Sequence, residues 1–243
     1  MQCKMEALLA AALLAFALGY VAFYSTETVY PDDATDLGRD GFVVWRWGGR
    51  SMEDEVRGLL GHDYVFLDYT YLIKGCSLST FHRDVTSGQQ FWATKYPTYT
   101  VLRYGSPGPL LSVCRGSHRQ YPFAWSRPET IHGAPNTCIL FNADLLHAGA
   151  PNTLGPQRLA VQYKICHRED VNRLAHLNGV HGSQTRGPAA GPVQEWVYRR
   201  ASYLGAGLVA TICTPLLLSR AKNGFARWLQ DLIPYRFYNN LRE

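Results

Sequence analysis

Hydrophobic and polar positions divide this chain of 243 residues into regions of different period. From Ala7 to Tyr24 no charge interrupts a run of alanine, leucine and phenylalanine that is 18 residues long. That is close to the ~20 residues that carry a helix across a bilayer. A polar, acidic stretch from Ser25 to Asp40 follows. The pattern then shortens into runs rich in β-branched and aromatic residues: Phe42–Trp47, Tyr64–Ile73, Thr98–Tyr104, Leu110–Val113, Thr137–Phe141 and Leu159–Ile165. Clusters such as Gly105–Pro109 and Ala150–Pro156 punctuate them. Short strands bounded by turn residues predict a β-sandwich or barrel. Ser51–Leu60 departs from this pattern. It opens on a serine suited to a helix N-cap and places Glu53, Asp54 and Glu55 in the first turn, where the helix dipole favours acids.

Beyond Gly182 the chain turns to glycine and proline as far as Pro192, which predicts a linker. A second uncharged run, Ala201–Ser219, lies between Arg199-Arg200 and Arg220/Lys222. Basic brackets favour a membrane segment; a buried helix of the main domain is the alternative, because Gly205, Gly207, Thr211, Thr214 and Pro215 dilute the hydrophobicity. For the first run the alternative is a cleaved signal peptide, with Lys4 before it and Ala15-Phe16-Ala17 as a loose cleavage site. The resulting division is a membrane anchor at 1–24, a linker at 25–40 and a catalytic domain at 41–182. A linker at 183–198, a second membrane segment at 199–219 and a basic amphipathic tail at 220–243 complete it.

Charge sharpens this division. Residues 1–182 hold 16 basic and 16 acidic side chains, whereas residues 183–243 hold 8 basic and 3 acidic, so the net +5 sits entirely in the tail. Beside an apolar run, such an excess favours anionic lipid over nucleic acid. The positive-inside rule, applied to Lys4 on one flank and Arg220, Lys222, Arg227 and Arg236 on the other, places both termini in the cytoplasm. The middle of the chain is then lumenal in an endomembrane compartment. Hydrophobic content of 47% and aromatic content of 13% exclude a disordered chain. Cys76, Cys114, Cys138 and Cys166 fit either two disulfides or buried thiols, and no close cysteine pair suggests zinc. The sequence has no Asn-x-Ser/Thr acceptor.

The chemistry concentrates in His82-Arg83-Asp84, answered 65 residues later by His147 and a further 11 residues on by Arg158. On a strand, positions i and i+2 point to one side, so His82 and Asp84 can donate to one metal without backbone distortion. A distant His147 completes two imidazoles and a carboxylate, the facial set usual for Fe(II) in non-haem oxygenases, with three positions left open. Arg158 adds a planar cation able to grip a carboxylate at two points, which points to a dicarboxylate co-substrate. His118 suits a turn or a carbonyl contact. His62, His132, His167, His176 and His181 lack partner spacing and are read as structural.

Four segments resemble the phytanoyl-CoA dioxygenase family: Phe81–Asp84, Val113–His118 (with Arg115 where the family has proline), Cys138–His147, and His147–Asn152 followed by Arg158-Leu159-Ala160. The resemblance covers roughly Tyr64 to Cys166. It implies a double-stranded β-helix, the jelly-roll or cupin-like form, with His82, Asp84 and His147 binding Fe(II) and Arg158 the distal carboxylate of 2-oxoglutarate. It also implies consumption of O2, release of succinate and CO2, and a hydroxyl donor to the co-substrate from Tyr99, Thr100 or Tyr104. The carboxylate of Asp84 implies hydroxylation, since related halogenases lack it. With a membrane anchor, the expected activity is hydroxylation of a lipid or lipid-linked substrate. A lumenal peptide (prolyl-type) hydroxylase and an inactive β-helix scaffold are the alternatives. The chain is short for the family, leaving little room for substrate-binding insertions.

Overall fold

The computed structural model describes residues 2–22, 27–30, 33–75, 81–120, 124–151, 158–186, 193, 196–197 and 199–205. Its helices are α1 (Gln2–Ala22), α2 (Met52–Leu60) and α3 (Gln89–Trp92). Its strands are β1 (Glu27–Val29), β2 (Phe42–Arg46), β3 (Tyr64–Gly75), β4 (Tyr99–Tyr104), β5 (Gly108–Cys114), β6 (Pro128–Gly133), β7 (Thr137–Asn142), β8 (His147–Gly149), β9 (Arg158–His167) and β10 (Val180–Arg186). Two 3-10 segments, Ser117–Arg119 and Arg168–Leu177, complete the described elements.

The strands form a cupin-like sandwich. A six-stranded sheet runs β10-β3-β9-β4-β7-β2 and a four-stranded sheet runs β1-β6-β5-β8. β10 on β3 and β1 on β6 are parallel additions at the edges, and the other pairings are antiparallel. Strand alternation sorts the side chains. Phe42, Val44, Leu102, Tyr104, Leu110, Leu111, Val113, Ile139 and Phe141 meet between the sheets. The opposite faces of β4, β7 and β9 give Val101, Leu140 and Ile165 to a second layer with Val56 of α2. β7 is therefore buried along its whole length. Gly41, at φ 84, passes so close to the His118 ring and Leu145 that a Cβ would collide with both. Only glycine fits that crossing.

All six strand-like runs and the Ser51–Leu60 helix are present, although Ser51 makes no side-chain cap bond. Three strands had weak signals. β1 and β10 are polar edge strands without an apolar run, and such edges are kept polar to discourage foreign pairing. β6 has a single deeply buried aliphatic, Ile131. β10 carries the sheet through Arg186, four residues past the expected domain end at Gly182, and β1 lies inside the expected 25–40 linker.

The expected pair of membrane helices is not shown. Among the described residues no helix is long and apolar enough to cross a membrane. The charge-free part of α1, Ala7–Ala22, rises only ~24 Å against a hydrocarbon core of ~30 Å. Of the second run, Ser202 and Tyr203 contact the sandwich. Tyr203 is fully buried, donates to the Ser126 carbonyl at 2.9 Å and packs edge-on to Phe81. Residues 206–219, the basic tail and Cys76 lie outside the described residues. Cys114, Cys138 and Cys166 are buried free thiols, raised in pKa by burial.

Candidate metal centre

The His-x-Asp segment does not sit on a regular strand. It meets β8 through an isolated antiparallel bridge in which His82 and His147 exchange backbone hydrogen bonds of 2.9 Å each way. The Asp84 N–H then donates to the Ala143 carbonyl at 2.8 Å. Arg83, between the two candidate ligands, is buried and donates to the carbonyls of Ser117, Gln120 and Asp144. It ties the ligand segment to the turn before β8 and to the 3-10 segment at Ser117.

The metal-ligating atoms of His82, Asp84 and His147 all lie within 4.8 Å of one another. The rings of His82 and His147 are 4.4 Å apart. His147 Nδ1 is 2.9 Å from the Leu145 carbonyl, which can only accept, so Nδ1 carries the proton and Nε2 keeps its lone pair. That nitrogen is 3.7 Å from Asp84 Oδ1. Burial lowers the His147 pKa and favours the neutral, ligating imidazole. Two imidazole nitrogens and one carboxylate oxygen this close together fit an Fe(II)-type ion. Asp84 itself is raised by burial, but Lys164, His147 and His82 more than offset this and hold its carboxyl below the usual range.

The other expected site residues separate by face. On β4, Thr100 and Tyr104 face inward, while Tyr99 faces outward among Tyr64, Val56 and Ile165. Tyr99 is therefore not brought to the metal centre, because alternation puts it on the opposite side of the strand from Thr100. Thr100 Oγ1 donates to Asp84 Oδ2 at 2.6 Å. Arg158, buried at the start of β9, donates through Nη1 to the carbonyls of Leu110 (3.0 Å) and Ala150 (2.6 Å). Tyr104 Oη donates to the same Leu110 carbonyl at 3.2 Å. Arg158 and Tyr104 thus converge at one point, three residues from His147 along β8 and the following turn, or on the order of 10 Å.

Sequence reading missed Lys164. Its Nζ is 2.5 Å from Asp84 Oδ2, 2.9 Å from Thr100 Oγ1 and 3.1 Å from Ser87 Oγ. The signal was available: Arg158, Ala160, Gln162 and Lys164 share the inward face of β9 by their even spacing. The histidines set aside are structural where they are described in detail. His118 Nε2 lies 3.3 Å from the Gly38 carbonyl, and His176 bonds the Thr86 carbonyl and stacks on Trp92.

Fold and site together define a cupin-like sandwich carrying two histidines and one carboxylate in a close, largely buried cluster. No protein-family model matches the chain and no curated protein matches it. Among solved structures it is similar to the nickel complex of the non-heme monooxygenase ThoJ, at 18% identity over 49% of this chain and 50% of that one, with a TM-score of 0.39. It is similar to AviO1 from Streptomyces viridochromogenes Tue57, at 16% identity over 49% of this chain and 58% of that one, with a TM-score of 0.38. A third is SnoN, a non-heme α-ketoglutarate-dependent epimerase from nogalamycin biosynthesis, at 15% identity over 54% and 79%, with a TM-score of 0.38. The chain spans about half the length of the first two.

Proposed function

We propose that this chain is an Fe(II)- and 2-oxoglutarate-dependent oxygenase of the phytanoyl-CoA dioxygenase-like kind, a hydroxylase held at an endomembrane and acting on a lipid or lipid-linked substrate. The observation that carries the reading is the three-donor cluster of His82, Asp84 and His147 within 4.8 Å, with His147 Nδ1 committed to the Leu145 carbonyl. Bound Fe(II) supplies the redox chemistry that couples oxidative decarboxylation of 2-oxoglutarate by O2 to substrate oxidation, releasing succinate and CO2. The chain's own residues do the rest. His82, Asp84 and His147 would hold the ion through two imidazole nitrogens and one carboxylate oxygen. Arg158 and Tyr104, on the order of 10 Å from His147 along the strand, suit the far carboxylate of a five-carbon diacid whose other end reaches the metal. Thr100 holds Asp84 Oδ2 through its hydroxyl at 2.6 Å.

Membrane attachment rests on α1. Leu8, Leu9, Leu13, Leu14, Phe16 and Leu18 are each more than half exposed on it, an apolar surface suited to lipid rather than water. The basic excess in residues 183–243 adds attraction to anionic headgroups. The lumenal placement of the catalytic domain rests on the flanking charges alone, Lys4 before the first run and Arg220, Lys222, Arg227 and Arg236 after the second.

Anaerobic addition of Fe(II) and 2-oxoglutarate to the full chain tests the core of the reading. A weak visible metal-to-ligand charge-transfer band is expected, dependent on both additions. Its absence at saturating concentrations of each would remove the assignment.

A further inference from the structure

Lys164 is the least expected side chain in the sandwich. It is 1% exposed on β9, in an interior where a lysine is rarely found without a partner. Its ammonium meets three oxygens, of Asp84, Thr100 and Ser87, so each of its three N–H donors has an acceptor. The two oxygens of Asp84 are consequently unequal. Oδ2 accepts from Lys164 Nζ at 2.5 Å and from Thr100 Oγ1 at 2.6 Å, whereas Oδ1 faces His147 Nε2 at 3.7 Å.

We propose that Lys164 is a positioning residue of the metal centre: with Thr100 it holds Asp84 Oδ2, so that Oδ1 alone is offered to the metal, and its charge keeps the carboxylate in place before metal arrives. The inference rests on reading His82, Asp84 and His147 as metal ligands. Two physical consequences give it content. Turning Asp84 to chelate through both oxygens would strip a buried ammonium of its anionic partner, a costly arrangement, so one-point ligation is retained and three metal positions stay open. A metal at Oδ1 must also share its carboxylate with a cation on the far oxygen, and like charges across a desolvated carboxylate repel. Lys164 therefore preassembles the site at the expense of metal affinity. This separates it from a merely structural lysine, whose loss would weaken metal-free and metal-loaded protein alike.

The test uses the full chain stripped of metal, with Co(II) as the probe, read by titration, by its visible d–d spectrum and by thermal unfolding with and without Co(II). Lys164→Met removes charge and donors at similar volume. It is expected to lower the melting temperature of the metal-free protein, to tighten Co(II) binding by at least about tenfold, to enlarge the Co(II)-induced rise in melting temperature and to shift the d–d band as Oδ2 becomes a ligand. Lys164→Gln keeps one donor to Oδ2 without the charge, and is expected to bind Co(II) more tightly while keeping the parent spectrum. If Lys164→Met does not fold without metal, Thr100→Val serves in its place. That variant removes one donor and leaves the ammonium that holds Oδ2, so its Co(II) spectrum should stay parent-like with affinity within about threefold of the parent. Unchanged Co(II) affinity and an unchanged metal-induced shift in Lys164→Met overturn the inference, as does a Thr100→Val spectrum that moves to two-point ligation with Lys164 still in place. A parent protein that binds no Co(II) overturns the metal-site reading beneath it.

Discussion

His82 and His147, 65 residues apart in sequence, exchange two backbone hydrogen bonds of 2.9 Å and bring their rings to 4.4 Å. The backbone bridge makes the two imidazoles a unit that exists before any metal binds. Replacing either ring by alanine leaves the bridge intact, so His82→Ala and His147→Ala should fold normally and lose Co(II) or Fe(II) affinity by about 100-fold or more. Asp84→Ala should behave differently. It strands the Lys164 ammonium in the interior, and a loss of about 3–5 kcal/mol is expected on top of the lost metal site. Chemical denaturation of the three variants, beside metal titration, distinguishes these outcomes; equal stability of all three would contradict the buried pair.

Arg158 and Tyr104 meet at the Leu110 carbonyl, so the two should act together on the co-substrate. Arg158→Lys keeps charge but loses the fork. Its 2-oxoglutarate affinity is expected to lie between that of the parent and that of Arg158→Ala, which should lose roughly 2–5 kcal/mol, or from ~30-fold to several thousand-fold, with Co(II) affinity in the absence of 2-oxoglutarate little changed in either. Tyr104→Phe should cost only about 0.5–1.5 kcal/mol. Equilibrium titration of the anaerobic metal-loaded protein checks both. A parent-like titration for Arg158→Lys would move the carboxylate site elsewhere.

The segment 199–205 braces the ligand strands from outside. Ser202 Oγ accepts from the Phe81 N–H at 2.9 Å, Arg199 lies over the Phe81 ring and donates to the Gly149 carbonyl at 2.7 Å, and Tyr203 fills the cluster beside Leu146. Phe81 precedes His82, and Gly149 lies two residues past His147. Tyr203→Ala should cost about 3–5 kcal/mol in stability and raise amide exchange at His82 and His147 relative to β4 and β7. Exchange confined to residues 199–205 would show that the brace does not reach the metal site.

Asp144 supplies a pH dependence. Burial raises its carboxyl to about 6, against the opposing effects of Arg83 and the backbone N–H groups of Gln90 and Gln89. Oδ1 has no hydrogen-bond partner among the described residues. A folded pKa above the unfolded value of about 3.9 means that the folded state holds the proton more tightly. The stabilising contribution is therefore complete below pH ~4 and is lost as pH rises through 6. Asp144→Asn should match the parent at pH 4 and exceed it by up to about 3 kcal/mol at pH 7.5. A stability difference that does not vary between those two pH values would contradict this account.

Attachment through α1 predicts that the full chain sediments with anionic vesicles and that removing residues 1–24 sharply lowers the bound fraction while the core stays folded. Binding that survives the deletion would assign attachment to the basic tail.

The sequence by itself determined the strands with two apolar faces or a clear alternation, the α2 helix and the identity of the three donors. Those signals are local: a strand like Thr137–Phe141 must be apolar on both faces because it lies between two layers, and His-x-Asp spacing is written in adjacent residues. The edge strands β1 and β10 were illegible because an edge buries little and is kept polar. Tertiary structure alone decided which face of β4 turns toward Asp84, setting Thr100 and Tyr104 apart from Tyr99. It alone turned the start of an apparently membranous run, at Tyr203, into part of the core. It also brought Lys164 to Asp84 across 80 residues of chain. Composition records that a lysine lies in a strand, but whether its charge faces water or a carboxylate depends on which strand packs opposite, and pairing between distant strands sets that.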